Sequence, residues 1–166
     1  MAEIGFVFEI EGERLMDRRL SRFGENITDL RPFWTVLIAD LRKIEKEQFS
    51  SEGSRSRAWL PLSYKYFKWK MRKFPGTKTL ERTGRLRDSL IGKTADSIVE
   101  VAKLEMRFGT SVPYAGRHQT GSIASASRGR LPRRRPIDIN EGDRRRWMKL
   151  LQRFAVAQAQ AAGRLR

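Results

Sequence analysis

The chain has 166 residues, 39% hydrophobic and 10% aromatic, which is enough apolar side chain for one folded domain and more than an unfolded chain carries. Its 35 Lys and Arg against 19 Asp and Glu give a formal charge of +16, which points to an acidic partner or an anionic lumen. With no Cys and one His, His118, the sequence excludes a disulfide framework, a thiol nucleophile and thiolate metal sites, and it leaves zinc hydrolases and histidine-metal nucleases short of ligands.

The opening, MAEIGFVFEIEGE, is acidic with no basic residue before its apolar stretch, and does not read as a signal peptide. Ile4, Phe6, Phe8 and Ile10 alternate with Gly5, Val7 and Glu9, a period of two that predicts a strand. Leu15, Met16, Leu20 and Phe23 fall at helical spacing, so a short helix is expected over 13–23, closed by Gly24. A longer helix follows. Thr28 or Asp29 can cap it, Pro32 suits its first turn, and Leu30, Phe33, Trp34, Leu37, Ile38, Leu41 and Ile44 draw an apolar stripe. Asp40, Arg42, Lys43, Glu45 and Lys46 are expected on the opposite, solvated side.

The stretch 50–58, SSEGSRSRA, has no periodicity and reads as a mobile loop. It marks a change of charge: residues 1–53 hold 8 basic and 11 acidic side chains, net −3, and residues 54–166 hold 27 and 8, net +19. Two faces of opposite sign follow, one suited to stacking on a partner and one to something negative. Ser63 can cap a short basic helix that Phe74-Pro75-Gly76 stops. Its Tyr64, Tyr66, Phe67 and Trp69 interleave with lysines, as in proteins that stack bases, but their helical spacing favours a place in the core.

Leu86, Leu90 and Ile91 predict a helix ended by Gly92, and a hairpin is expected near 97–109, turning at Ala102-Lys103. From Thr120 to Pro136, Ser, Gly, Ala, Pro and Arg replace apolar periodicity, so 120–137 reads as an exposed, extended arm. Asn140 then caps a final helix over 140–163, with Glu141 and Asp143 in its first turn and Trp147, Leu150, Leu151 and Phe154 as its buried stripe. The sum is one α+β domain over 1–166, mostly helical, with a small antiparallel sheet. Apolar runs are far below the roughly 20 residues a bilayer helix needs, so no membrane partner is expected.

Tyr114, Arg117, His118 and Gln119 are the only dense polar cluster with a titrating member. No carboxylates or second imidazole accompany them as acid–base or metal chemistry requires, so no catalytic, cofactor-binding or metal residues are expected. His118 and Gln119 are read as bonding backbone at a turn closing on Gly121. Arg128, Arg130, Arg133, Arg134 and Arg135 are the other conspicuous set, able to pair with phosphates or with carboxylates of a neighbouring chain. No groove-reading helix, zinc finger or RNA-binding motif accompanies them, so any nucleic-acid contact is sequence-independent.

Trp59-Leu60-Pro61-Leu62-Ser63, then Leu80 leading to Thr83-Gly84-Arg85-Leu86, then Tyr114-Ala115, His118-Gln119 and Gly121, then Leu131-Pro132-Arg133 and Pro136 form an ordered set over roughly 55–145. This set resembles the bacteriophage virion morphogenesis family, the tail completion proteins of Mu-like and related tailed phages. The arm departs from it: Arg133-Arg134-Arg135-Pro136-Ile137-Asp138-Ile139 stands where family members commonly carry a Phe-Leu-Gly-like segment. The resemblance implies a structural protein of the neck and not an enzyme. It would complete the tail and join it to the DNA-filled head, assembled in the host bacterial cytoplasm and carried in the virion. Its implied partners are other neck and tail proteins (connector or stopper, tail terminator or tube), further copies of itself in a ring, six by family expectation, and DNA passing through the lumen. The alternative from the charge alone is a sequence-independent nucleic-acid-binding protein.

Overall fold

The structure, a computed structural model, describes residues 4–5, 29–125 and 129–163. Helix α1 (Arg31–Ser50) begins where Asp29 Oδ1 accepts the Arg31 N–H at 3.0 Å and Pro32, lacking a donor, costs the first turn nothing. Phe33, Trp34, Leu37, Leu41 and Ile44 recur at helical spacing and are all buried. Glu45 and Gln48 extend that stripe, because they lie four and seven residues beyond Leu41, and both are fully buried. The expected solvated face therefore holds for Lys43 and Lys46 and fails for Glu45. Burial pushes the Glu45 carboxyl well above the usual range, against the attraction of Arg55, and neither of its oxygens has a partner among the described residues.

Helix α5 (Glu141–Gly163) packs on α1. Its start is a reciprocal cap: Asn140 Oδ1 accepts the Asp143 N–H at 2.9 Å and Asp143 Oδ2 accepts the Asn140 N–H at 3.1 Å, an arrangement worth about 1 kcal/mol. Trp147 and Leu151 are buried, the Phe154 ring lies 6.0 Å from that of Phe33, and Trp147 Nε1 donates to Asp40 at 2.5 Å. The segment 50–58 is docked and not the mobile loop its composition implied. Arg55 pairs with buried Asp143 and, at 3.3 Å, with Glu47, while Ser56 Oγ donates to Asp138 at 2.5 Å.

Helices α2 (Tyr64–Lys73) and α3 (Arg85–Ile91) follow. Leu86 and Leu90 bury α3 against α1 and the sheet, each contributing about 1.5–3 kcal/mol by leaving water. Strands β2 (Ser97–Val101) and β3 (Met106–Thr110) form the expected hairpin, in register from Ser97 opposite Thr110 to Val101 opposite Met106, closed where the Ala102 N–H meets Glu105 O at 2.9 Å. Strand β1 (Ile4–Gly5) adds antiparallel to β3, Ile4 opposite Thr110, giving sheet order β1-β3-β2. The remainder of the expected opening strand and the expected 13–23 helix lie outside the described residues. Met106 and Phe108 face the core, and Ser89 Oγ meets Thr110 Oγ1 at 2.7 Å, fastening α3 to β3.

Residues 120–137 depart from a uniformly exposed arm. A short helix, α4 (Ala115–Thr120), leads into a two-stranded antiparallel ribbon, β4 (Ser122–Ser125) with β5 (Gly129–Leu131). A strap, 132–140, then runs back over the body with Arg134, Pro136 and Ile137 buried. The fold is α+β and mostly helical, with small antiparallel sheets. Among the described residues no helix is long and apolar enough to cross a membrane.

Candidate functional site

Of the residues that carried the resemblance, spread over nearly eighty positions, those near 59–61, 118–119 and 134–137 belong to segments that meet at one junction. Trp59 is buried edge-on to Phe49, ring centroids 5.4 Å apart, and its Nε1–H donates to Arg135 O at 2.9 Å; Gln48 Nε2 donates to the same carbonyl at 3.1 Å. The Arg134 guanidinium reaches the other way, Nε to Leu60 O at 2.6 Å and Nη2 to Pro61 O at 2.8 Å. Its backbone N–H meets His118 O at 3.0 Å. Gln119 bonds backbone, but that of the strap and not of the local turn expected at Gly121, its Nε2 donating to Ile137 O at 2.8 Å and its Oε1 accepting the Ile137 N–H at 3.3 Å. A bidentate amide clamp of this kind fixes register as well as distance.

Two glycines here meet local demands of conformation and space. Gly84 opens α3 at φ +77°, where an L side chain is strained and a Cβ would stand 2.9 Å from an Asp88 oxygen. Gly121 ends α4 at φ +78°, with the strap backbone 3.3 Å from the place a Cβ would take. Ala115, Leu86 and Pro136 fill the space beneath, all nearly fully buried.

Over the junction lies a cleft of about 800 Å³, walled by 60–63, α2, 80–83, the start of α4 and 131–134. Pro61, Thr83, Tyr114, His118 and Pro132 are among the family-like residues that line it, so much of that set shares one concave surface. Leucines and prolines make up its apolar lining; Lys70, Arg82, Arg134 and His118 supply positive or titratable groups, and no acidic side chain lines it. His118 is half-buried, with the Tyr114 ring edge-on at 6.1 Å and no hydrogen-bond partner on Nδ1 among the described residues. Burial, reinforced by the Arg134 charge, holds its pKa below the usual histidine value.

Among the described residues, Arg133, Arg134 and Arg135 do not share one cationic face. Arg134 is 5% exposed and serves the junction. Arg133 is exposed, its Nε donating to Gln119 O at 3.1 Å, and half-buried Arg135 pairs with Asp138 at 3.1 Å. The physical reason is the supply of partners: the carbonyls of Leu60 and Pro61 hold the Arg134 guanidinium inside. Arg128 and the side chain of Arg130, which stands in β5, lie outside the described residues.

A model of the phage virion morphogenesis family matches residues 11–154, from the acidic opening to Phe154 in α5. The chain belongs to the phage virion morphogenesis family. No curated protein and no solved structure matches it. The matched span is longer than the 55–145 set of motifs and includes α1, the junction and most of α5. Membership gives this protein a structural or assembly role in the phage particle.

In this family member the most exposed large apolar side chain among the described residues, Tyr64, lies where the sequence placed core. On α2, Tyr64 is 72% exposed, and Tyr66, Phe67 and Met71 also stand in solvent among Lys65, Lys68 and Arg72. Only Lys70 turns in, donating to Lys78 O. Helical spacing marks one face but carries no information on what covers it, which is why the rings were misplaced.

Proposed function

We propose that this chain is a structural protein of the phage neck that completes the tail and joins it to the DNA-filled head, as a closed ring of copies around the DNA channel. The observation that carries the reading is the family match over residues 11–154, together with a surface whose positive side chains are left in solvent. Arg57, Lys65, Lys68, Arg72 and Lys73 are exposed, and no Asp or Glu stands between Gly53 and Leu80. Such a surface neutralises phosphates without reading bases, which suits a polyanion moving through a lumen. Head-to-tail contacts that close generate rings, and six copies is the expectation for this family. The role needs no bond made or broken.

The test is imaging of particles made without this chain. Filled heads and separate tails are expected, with joining restored when the purified protein is added. Joined, infectious particles in its absence would overturn the reading.

Exposure of Tyr64 and Phe67 beside lysines favours a second reading, a sequence-independent nucleic-acid-binding protein that stacks bases. In that case the isolated chain binds short single strands tightly with a steep salt dependence, and loses this binding when both rings are replaced by Ser.

A further inference from the structure

We propose that the cleft over the junction is a receptor for an extended, acidic peptide segment of another virion protein, whose apolar side chains rest on its leucines and prolines and whose carboxylates pair with Arg82 and Arg134. The inference rests on the assembly role proposed above and names the chemistry of one partner. Its first support is charge. The lining holds cations and no acidic side chain, and neither Arg82 nor Arg134 forms an ion pair among the described residues. Arg134 is 95% removed from solvent with only the carbonyls of Leu60 and Pro61 as partners for its guanidinium. A buried cation without a counter-charge draws a carboxylate far more strongly than an exposed one does.

The second support is shape and lining, which separate a peptide from nucleic acid. Phosphates are met by cations and donors on open surface, whereas Leu60, Leu62 and Leu131 gain free energy only when an apolar group displaces water from them. Leu60 is 57% exposed at the rim although it belongs to the family-like set. An extended segment alternating acidic and apolar residues satisfies both requirements, its side chains reaching cationic and apolar lining in turn.

The experiment uses the purified full-length chain on an array of overlapping peptides covering the other virion proteins of the same phage, with scrambled copies. Binding is expected for peptides that combine Asp or Glu with Leu, Phe or Pro. Arg82→Glu should weaken it by about tenfold or more, since a repulsive charge replaces an attractive one. Arg153→Glu, an exposed reversal on α5 outside the cleft, should leave it unchanged. Peptide binding indifferent to Arg82→Glu overturns the proposal. So does an array without bound peptides, a duplex DNA that binds in a manner lost with Arg82→Glu while peptides do not, or self-association that depends on Arg82. The neck reading stands or falls separately: a chain imaged at the neck whose cleft takes no acidic peptide defeats only this inference, and peptide binding by a chain located elsewhere defeats only the other.

Discussion

The strap and helix α2 are built from similar material, basic residues next to apolar ones, and meet opposite fates. In the strap, Arg134 is drawn inside because two backbone carbonyls, of Leu60 and Pro61, stand ready to accept from its guanidinium, and Pro136 and Ile137 bury beside it. In α2, Tyr64, Phe67 and Met71 form a comparable apolar surface that nothing within the described chain covers. The difference teaches that residue type does not decide burial here; the supply of partners does. One region is closed by contacts within the chain, and the other stands in solvent.

That contrast can be broken by mutation, and the largest effects belong on the buried side. Trp34→Ala or Trp147→Ala should destabilise the fold by about 3–5 kcal/mol, because a large ring leaves a cavity between α1 and α5. Chemical denaturation with an unshifted midpoint would refute the packing. Arg134→Ala should cost about 2–3 kcal/mol, since two carbonyls lose a charged donor. Arg133→Ser, one residue away and exposed, should stay within about 0.5 kcal/mol of the parent. Equal losses for the two would erase the distinction between strap interior and strap surface. A combined Ser replacement at Arg133, Arg134 and Arg135 tests folding as well as assembly, because Arg134 is structural.

Glu45 sharpens the comparison through pH. Its folded pKa lies above the ordinary 4.5, so the folded chain holds the proton more tightly than the unfolded one, and stability from this group is full below 4.5 and lost as pH rises. His118 works in the opposite sense: burial depresses it below the ordinary 6.5, so falling pH through 6.5 costs stability. The difference between Glu45→Gln and the parent isolates the first effect. The variant should be the more stable near neutrality, by a margin that grows as pH rises above 4.5 in a series of thermal melts. A constant or shrinking margin would contradict the uncompensated burial. The smallest effect belongs to α2, where Tyr64→Ser and Phe67→Ser should each change stability by no more than about 0.5 kcal/mol.

Much of the frame was legible in the sequence. Helix α1 and helix α5 announced themselves by stripes seven or more residues long, and the β2–β3 hairpin by alternation, because period reports directly on which face is buried. What escaped notice was polar burial. Glu45 and Gln48 sit in step with Leu41 and Ile44, so position marked them for the core while residue type argued for solvent. Arg134 was hidden in a run of three arginines, because the carbonyls that draw it inside, of Leu60 and Pro61, lie far away in the chain. The docking of 50–58 depended on Asp143, nearly ninety residues on, a contact no local pattern encodes. The junction itself was legible only as an ordered set of motif residues; that several of them line one cleft required the fold.

The most direct test of a ring at the neck is a reconstruction of the head–tail joint from mature particles. This account predicts density for the chain at that joint, in several copies related by rotation about the channel, with the exposed basic face of α2 turned toward a neighbour or the lumen and the α1–α5 core in the ring wall. A joint without this chain, or a single copy bound off the axis, would contradict it.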